Sequence, residues 1–129
     1  MTDTLNIEAT RTTPAVQVDK EKGVMKIEGR FISESYESAC HLLSSGFDMV
    51  EGLQIPFRIN IQLSLTNKPS RKCLYAFFKR LNQMYENGRE ITINWFYEAD
   101  DEDILDAGKD FAEKTRLPFN YIAYNNIVM

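Results

Sequence analysis

The stretch Phe57-Arg58-Ile59-Asn60-Ile61-Gln62-Leu63-Ser64-Leu65 runs directly into Thr66-Asn67-Lys68-Pro69-Ser70-Arg71-Lys72, and the apolar period changes at the join. Before it, Phe57, Ile59, Ile61, Leu63 and Leu65 alternate with polar residues, the period of two that a strand with one buried face requires. Beyond it, Leu74, Phe77, Phe78, Leu81, Met84 and Tyr85 recur at helical intervals and share one face. Pro69 suits a first helical turn, where no backbone N–H is needed, and Asn87-Gly88 suits the stop. The stretch therefore predicts a buried strand followed by an amphipathic helix over about residues 69–87.

The same two periods organise the rest of the chain. Toward the C-terminus, Ile91 to Tyr97 reads as a strand, and Asp100 or Asp101 caps a helix carrying Ile104, Leu105, Gly108, Phe111 and Ala112. Pro118 closes that helix region, and Phe119 to Tyr124 reads as a last strand. Toward the N-terminus, Tyr36, Ala39, Cys40, Leu43, Phe47 and Val50 fall on one face of a helix that starts from Ser33 or Ser35 and stops before Gly52. Val16 to Asp19 and Val24 to Glu28 alternate around Lys20-Glu21-Lys22-Gly23, a hairpin signature with Gly23 in the turn. Residues 1–13 are polar and Thr-rich and are expected to form a loosely held lead-in. The order β-β-α-β-α-β-α-β predicts a single α/β domain over residues 1–129, with a mixed sheet and helices packed mainly against it.

Bulk properties exclude several classes of function. The chain has 129 residues, 43% hydrophobic, which suffices for one core. Its net charge of −4 argues against nucleic acid as the main partner, because phosphate neutralisation needs a basic footprint. No apolar run approaches the ~20 residues that span a bilayer, and Met1-Thr2-Asp3-Thr4-Leu5 lacks the basic start of a signal peptide. Cys40 and Cys73 sit in amphipathic segments without metal-type spacing and read as reduced, buried thiols of a cytoplasmic protein.

Few residues invite catalysis. His41 is the single histidine, and its neighbour Cys40 points about 100° away on the same helix, so the two cannot form a nucleophile pair. The run Glu98, Asp100, Asp101, Glu102, Asp103 lacks the loop spacing of a calcium site; it reads as a helix cap first and an acidic docking edge second. Trp95 and Tyr97 share one strand face and Phe96 takes the other, with core packing the default reading. No Gly-rich phosphate loop is present. No catalytic residue, metal or cofactor is expected.

The anomaly is at the strand-to-helix join. A helix N-terminus already carries partial positive charge, so Lys68, Arg71 and Lys72 there oppose the helix dipole. An anion or an acidic partner surface would resolve the conflict, while a solvated basic face is the plain alternative. Lys79 extends the stripe beside Tyr75.

Several segments together resemble the SiaC-like regulatory phosphoproteins of bacteria, whose fold is like that of the anti-sigma-factor antagonists (STAS). Thr10-Arg11-Thr12-Thr13-Pro14-Ala15-Val16 looks like that family's opening Thr-x-x-Thr-Pro-x-apolar motif. Val24 to Gly29 resembles its second strand and the glycine that follows. Glu34 matches the glutamate of its Ser-Tyr-Pro-Glu-Asn segment, although Phe31, Ile32, Ser33 and Ser35 depart from the rest. Thr66 to Lys72 aligns with its Leu-Asn-Thr-Ser-Ser-x-Lys join. Ile93-Asn94-Trp95-Phe96-Tyr97-Glu98 and the acidic run look like its strand and helix cap, and Gly108, Phe111, Pro118 and Phe119 match its close.

The resemblance implies a partner-switching protein. A serine/threonine kinase phosphorylates the threonine of the join, a PP2C-type phosphatase reverses it, and the unphosphorylated form activates a diguanylate cyclase, raising cyclic di-GMP and promoting biofilm. In this chain Asn67 is kept, but Lys68 stands at the threonine position and Pro69 replaces the next serine. Lysine accepts no phosphate ester and has the wrong sign to imitate one. Three readings follow: the switch has moved to Ser70 or Thr66; the protein is permanently competent to bind; or it is a diverged paralogue whose Lys68, Arg71 and Lys72 recognise a different acidic surface. The third, with part of the second, is the expectation. The partner surface is then Asn67, Lys68, Ser70, Arg71 and Lys72, with Glu34 nearby, and the alternative is a small anionic ligand or nucleotide at the same helix start.

Overall fold

The computed structural model describes residues 3–125. Its elements run β1 (Thr4–Ile7), β2 (Ala15–Asp19), β3 (Val24–Phe31), α1 (Tyr36–Glu51), β4 (Phe57–Thr66), α2 (Lys68–Glu86), β5 (Ile91–Glu98), α3 (Glu102–Glu113) and β6 (Phe119–Tyr124). The strands form one sheet in the order β1-β2-β3-β4-β5-β6. The first three pair antiparallel, and β3 to β6 pair parallel. The expected mixed α/β architecture is the one observed.

One expectation is corrected. Thr4–Ile7, read as part of a loosely held lead-in, is a strand that pairs with β2 from Thr4↔Asp19 to Ile7↔Val16. Four residues are too few to display a convincing alternation, and the ladder with β2 supplies the order that local propensity does not.

Each parallel pair of neighbouring strands is joined by one helix, and right-handed crossovers between successive neighbours put all three helices on the same face. Burial agrees. Met25, Ile27, Ile59, Ile61, Leu63, Ile93 and Trp95 are covered on one side of the sheet, against Leu43 and Phe47 of α1, Leu74, Phe78 and Leu81 of α2, and Ile104 and Phe111 of α3. Each such side chain contributes about 1.5–3 kcal/mol by leaving water. The other sheet face is mainly polar, with Phe96 beside Ile122 as an apolar pair, and a row of cross-strand partners runs Asn6, Gln17, Lys26, Asn60, Asn94, Asn120. Asn120 donates to Asn94 at 3.1 Å, Asn94 to Asn60 at 2.8 Å and Gln17 to Asn6 at 3.1 Å.

An aromatic cluster fixes the α3 end of the core. Phe78 has ring centroids of Phe111 and Phe119 at 5.1 and 5.2 Å, and Trp95 at 6.4 Å. Trp95 Nε1 donates to the carbonyl of Ile104 at 2.9 Å, satisfying a buried donor. α3 starts at the cap Asp101, whose carboxylate accepts from the N–H of Ile104 at 3.1 Å. The helix-cap reading of the acidic run therefore holds for Asp101. Among the described residues no helix is long and apolar enough to cross a membrane.

Candidate functional site

Phe31 pairs with Thr66 at the carboxyl ends of β3 and β4, so the segments leaving those strands start side by side. This is the end of a parallel sheet where open α/β folds place their binding surfaces. Gly29, at φ 127, precedes a register shift between Gly29 and Arg30 that re-aims the end of β3.

Asn67 is the N-cap of α2, with extended backbone, and its Oδ1 accepts from the N–H of Ser70 at 3.1 Å. Its Nδ2 donates to the carbonyl of Ser33 at 2.9 Å. The Ser70 hydroxyl accepts from the N–H of Ser33 at 3.0 Å. Asn67 and Ser70 thus hold both polar backbone groups of Ser33, and the loop before α1 is strapped to the start of α2. Ser70 is 0% exposed and Ser33 5%. Glu34, next in the chain to the strapped Ser33, is exposed.

Two expectations change here. Ser70 was expected as a partner contact and a possible phosphorylation site; it is a buried structural residue, because its hydroxyl is the acceptor for an interior N–H that would otherwise be unpaired. Thr66, the other candidate acceptor of phosphate, is half-buried, and its Oγ1 accepts from Arg71 Nε at 2.6 Å.

The positive charge at the helix start divides into two kinds. Arg71 is answered from within the fold: Nε bonds Thr66, and Nη2 meets Asp103 Oδ2 at 3.0 Å, bridging α2 to the start of α3. Lys68 and Lys72 are exposed and meet no carboxylate within ion-pair distance among the described residues. Lys72 lies over the Tyr36 ring, 5.1 Å from its centroid. The Tyr36 hydroxyl is itself pushed above its ordinary range, chiefly by its hydrogen bond with the Cys40 thiol.

Sequence reading did not find the α3 wall of this corner. Lys68, Arg71, Lys72 and Tyr75 on α2 face Ala107, Asp110, Phe111 and Lys114 on α3 across a groove of about 470 Å³. Tyr75 is flanked by Lys79 and Lys114, whose Nζ atoms lie 5.5 and 5.3 Å from its ring centroid. Lys114 also pairs with Asp110 at 3.0 Å. The recurrence of 107, 110, 111 and 114 at helical spacing was visible, but nothing local shows that it faces α2.

The corner has little to offer a small anion beyond side chains. Pro69 has no N–H, the N–H of Ser70 is used by the Asn67 cap, and that of Arg71 bonds the Asn67 carbonyl. The backbone donors that normally cradle a phosphate at a helix start are thus largely taken.

Comparison with known proteins agrees with this geometry. Residues 7–124 match the family model described as SiaC family regulatory phosphoprotein. An uncharacterized protein of Pseudomonas aeruginosa (strain UCBPP-PA14) is 27% identical over 126 residues, covering 94% of this chain and 97% of that one. The fold is similar to SiaC of Pseudomonas aeruginosa, with a TM-score of 0.82 at 24% identity, covering 95% of this chain and 100% of that one. It is also similar to a chain of the crystal structure of diguanylate cyclase SiaD in complex with its activator SiaC from the same organism. There the TM-score is 0.81 at 27% identity, with 93% of this chain and 99% of that one covered.

Proposed function

This chain belongs to the SiaC family of regulatory phosphoproteins, and from that premise we propose that it is a non-enzymatic, cytoplasmic regulator that binds a diguanylate cyclase. The docking surface is the basic corner at the start of α2. A SiaC in complex with a diguanylate cyclase, as its activator, supports the partner class. The observation that carries the placement is the pair Lys68 and Lys72, exposed beside the strapped Asn67–Ser33 join and with no carboxylate in ion-pair distance among the described residues. Their charge is left for a partner, whereas that of Arg71 is used internally. The surface it fits is acidic, because opposite charge steers encounter and fixes register.

In this reading Lys68 occupies the position of the family's phosphothreonine. A serine/threonine kinase and a PP2C-type phosphatase then have no hydroxyl to act on at that residue, and the nearby hydroxyls of Ser70 and Thr66 are engaged in the fold. The protein is held in its binding state. An engaged Asn67 cap favours this protein-docking reading over a small anionic ligand at the helix start.

The test is titration of the chain against a purified diguanylate cyclase of its own host, with cyclic di-GMP synthesis as a second readout. Lys68→Glu with Lys72→Glu is expected to weaken binding at least about tenfold, or roughly 1.4 kcal/mol, while the Tm stays within a degree or two. Unchanged binding by that variant would put the surface elsewhere. No binding by the unsubstituted chain to any host cyclase would overturn the partner class.

A further inference from the structure

Two thiols outside the basic corner remain without a role. Cys40 on α1 is half-buried and Cys73 on α2 is buried, and both are free. They line the same groove between α1 and α2, of about 230 Å³, together with Tyr36, Phe77 and Ala76. A water molecule takes about 30 Å³ in the liquid, so a small oxidant has room to enter. Each helix presents its cysteine from its first half, Cys40 one turn after Tyr36 and Cys73 one residue after Lys72.

The environments of the two sulfurs differ in a way that orders their chemistry. Burial pushes the Cys73 thiol far above its ordinary range, and the adjacent Cys40 thiol adds to the effect. The thiolate is the nucleophile, so Cys73 is a poor first attacker. Cys40 has the exposure, and Cys73 stands beside it as the group that can resolve an oxidised sulfur.

We propose that Cys40 and Cys73 form a peroxide-oxidisable pair that closes into a disulfide between α1 and α2. The Cys40 thiolate attacks one oxygen of hydrogen peroxide; the O–O bond breaks, hydroxide leaves, and Cys40 becomes a sulfenic acid. The Cys73 sulfur then attacks the Cys40 sulfur, an S–S bond forms, and the S–O bond breaks. The departing hydroxide takes up the Cys73 proton as water. In sum two thiols are oxidised and one peroxide is reduced to two waters. This inference rests on the α1–α2 groove and is independent of the docking surface proposed above.

The experiment treats the purified full-length chain with rising hydrogen peroxide, blocks remaining thiols by alkylation, and reads intact mass and a non-reduced peptide map. The map separates thiol chemistry from methionine oxidation. The expected result is loss of two hydrogens, one cross-linked peptide pair containing Cys40 and Cys73, and full reversal by dithiothreitol. Cys73→Ser is expected to accumulate a dimedone-reactive sulfenic acid at Cys40, and Cys40→Ser to leave Cys73 a free thiol at the same dose. Oxygen gained at Cys40 while Cys73 stays free would overturn the proposal. So would a disulfide joining two chains, or two untouched thiols at a dose that consumes glutathione. The wild-type map decides these outcomes alone if either variant fails to fold.

Discussion

The hydroxyl of Ser70 and the backbone nitrogen of Ser33 lie 3.0 Å apart, joining the first turn of α2 to the loop that precedes α1. With Asn67 Nδ2 on the Ser33 carbonyl at 2.9 Å, the loop is held from both sides of one residue. The Asn67 side chain works twice, because its Oδ1 caps α2 while its Nδ2 holds the loop. The backbone of Ser33, and not its side chain, is what the strap grips.

Replacing Ser70 by Ala removes the acceptor and leaves the buried Ser33 N–H unpaired, which costs about 1–3 kcal/mol. Ser70→Ala should lower stability by that amount in urea or thermal unfolding, with the m-value unchanged. A carboxylate at the same fully buried place should cost more, since it adds an interior charge. Equal stability of Ser70→Ala and the wild type would show that the strap is ornamental.

Arg71 and Asp103 form a pair of unequal exposure, with side chains 36% and 82% accessible. Such a pair is worth about 0–1 kcal/mol and weakens with salt. A double-mutant cycle with Arg71→Ala and Asp103→Ala should give a coupling within that range at low salt that shrinks in 1 M salt, where the screening length falls to ~3 Å. Arg71→Ala alone should cost more than Asp103→Ala, because it also strips the partner of Thr66 Oγ1. A coupling well above about 1 kcal/mol would mean the pair is better shielded than its exposure indicates.

What the sequence disclosed was what local chemistry encodes. Pro69 reads as a first-turn residue without reference to the rest of the chain, and it stands in the first turn of α2; the Asn67 cap emerged only from the structure. The change of period at the join placed β4 and α2 within one or two residues of their bounds. The pairing of Arg71 with Asp103 was not legible, because residues 32 positions apart leave no local trace of their meeting. Without that partner, all three basic residues at the helix start looked equally unexplained. Ser70 misled for a related reason: a serine in a polar helix start reads as surface, and its burial is imposed by the loop that joins β3 to α1. β1 was missed because its order comes from β2 and not from its own four residues.

Stability should fall with rising pH through the buried thiol. Burial raises the Cys73 value in the folded state, while the unfolded chain titrates near the ordinary thiol value of ~8.5. Above that value the unfolded state has lost a proton the folded state keeps, so the unfolding free energy declines as pH rises and is fully retained below it. Unfolding under reductant, compared between wild type and Cys73→Ala from pH 7 to 10, should show a steeper decline for the wild type. Tyr121 is raised by its own burial and is common to both proteins, while Tyr36 is raised chiefly by Cys40 and only in lesser part by Cys73, so the difference in slope belongs mainly to the cysteine. Parallel curves would show that Cys73 is freely ionisable in the fold.

Gly108 gives a substitution whose sign separates packing from helix propensity. In the middle of an exposed helix, Gly→Ala stabilises by about 1 kcal/mol, because alanine loses less backbone freedom. Gly108 is not exposed: a Cβ built there would lie 2.6 Å from both Cδ1 and Nε1 of Trp95. That ring is 1% accessible, wedged among Phe78, Phe111 and Phe119, and tied by Nε1 to the Ile104 carbonyl one turn earlier on α3. It cannot recede without giving up that hydrogen bond or the aromatic contacts, so the added methyl must push α3 off the sheet. Overpacking of this kind costs about 1–3 kcal/mol, which exceeds the propensity gain. Gly108→Ala should therefore be destabilising by urea unfolding, and the emission of Trp95, the single tryptophan, should shift red as water reaches the ring. A stabilised variant with unchanged emission would mean that α3 can slide over Trp95, and that the cap at Asp101 does not hold the helix in register.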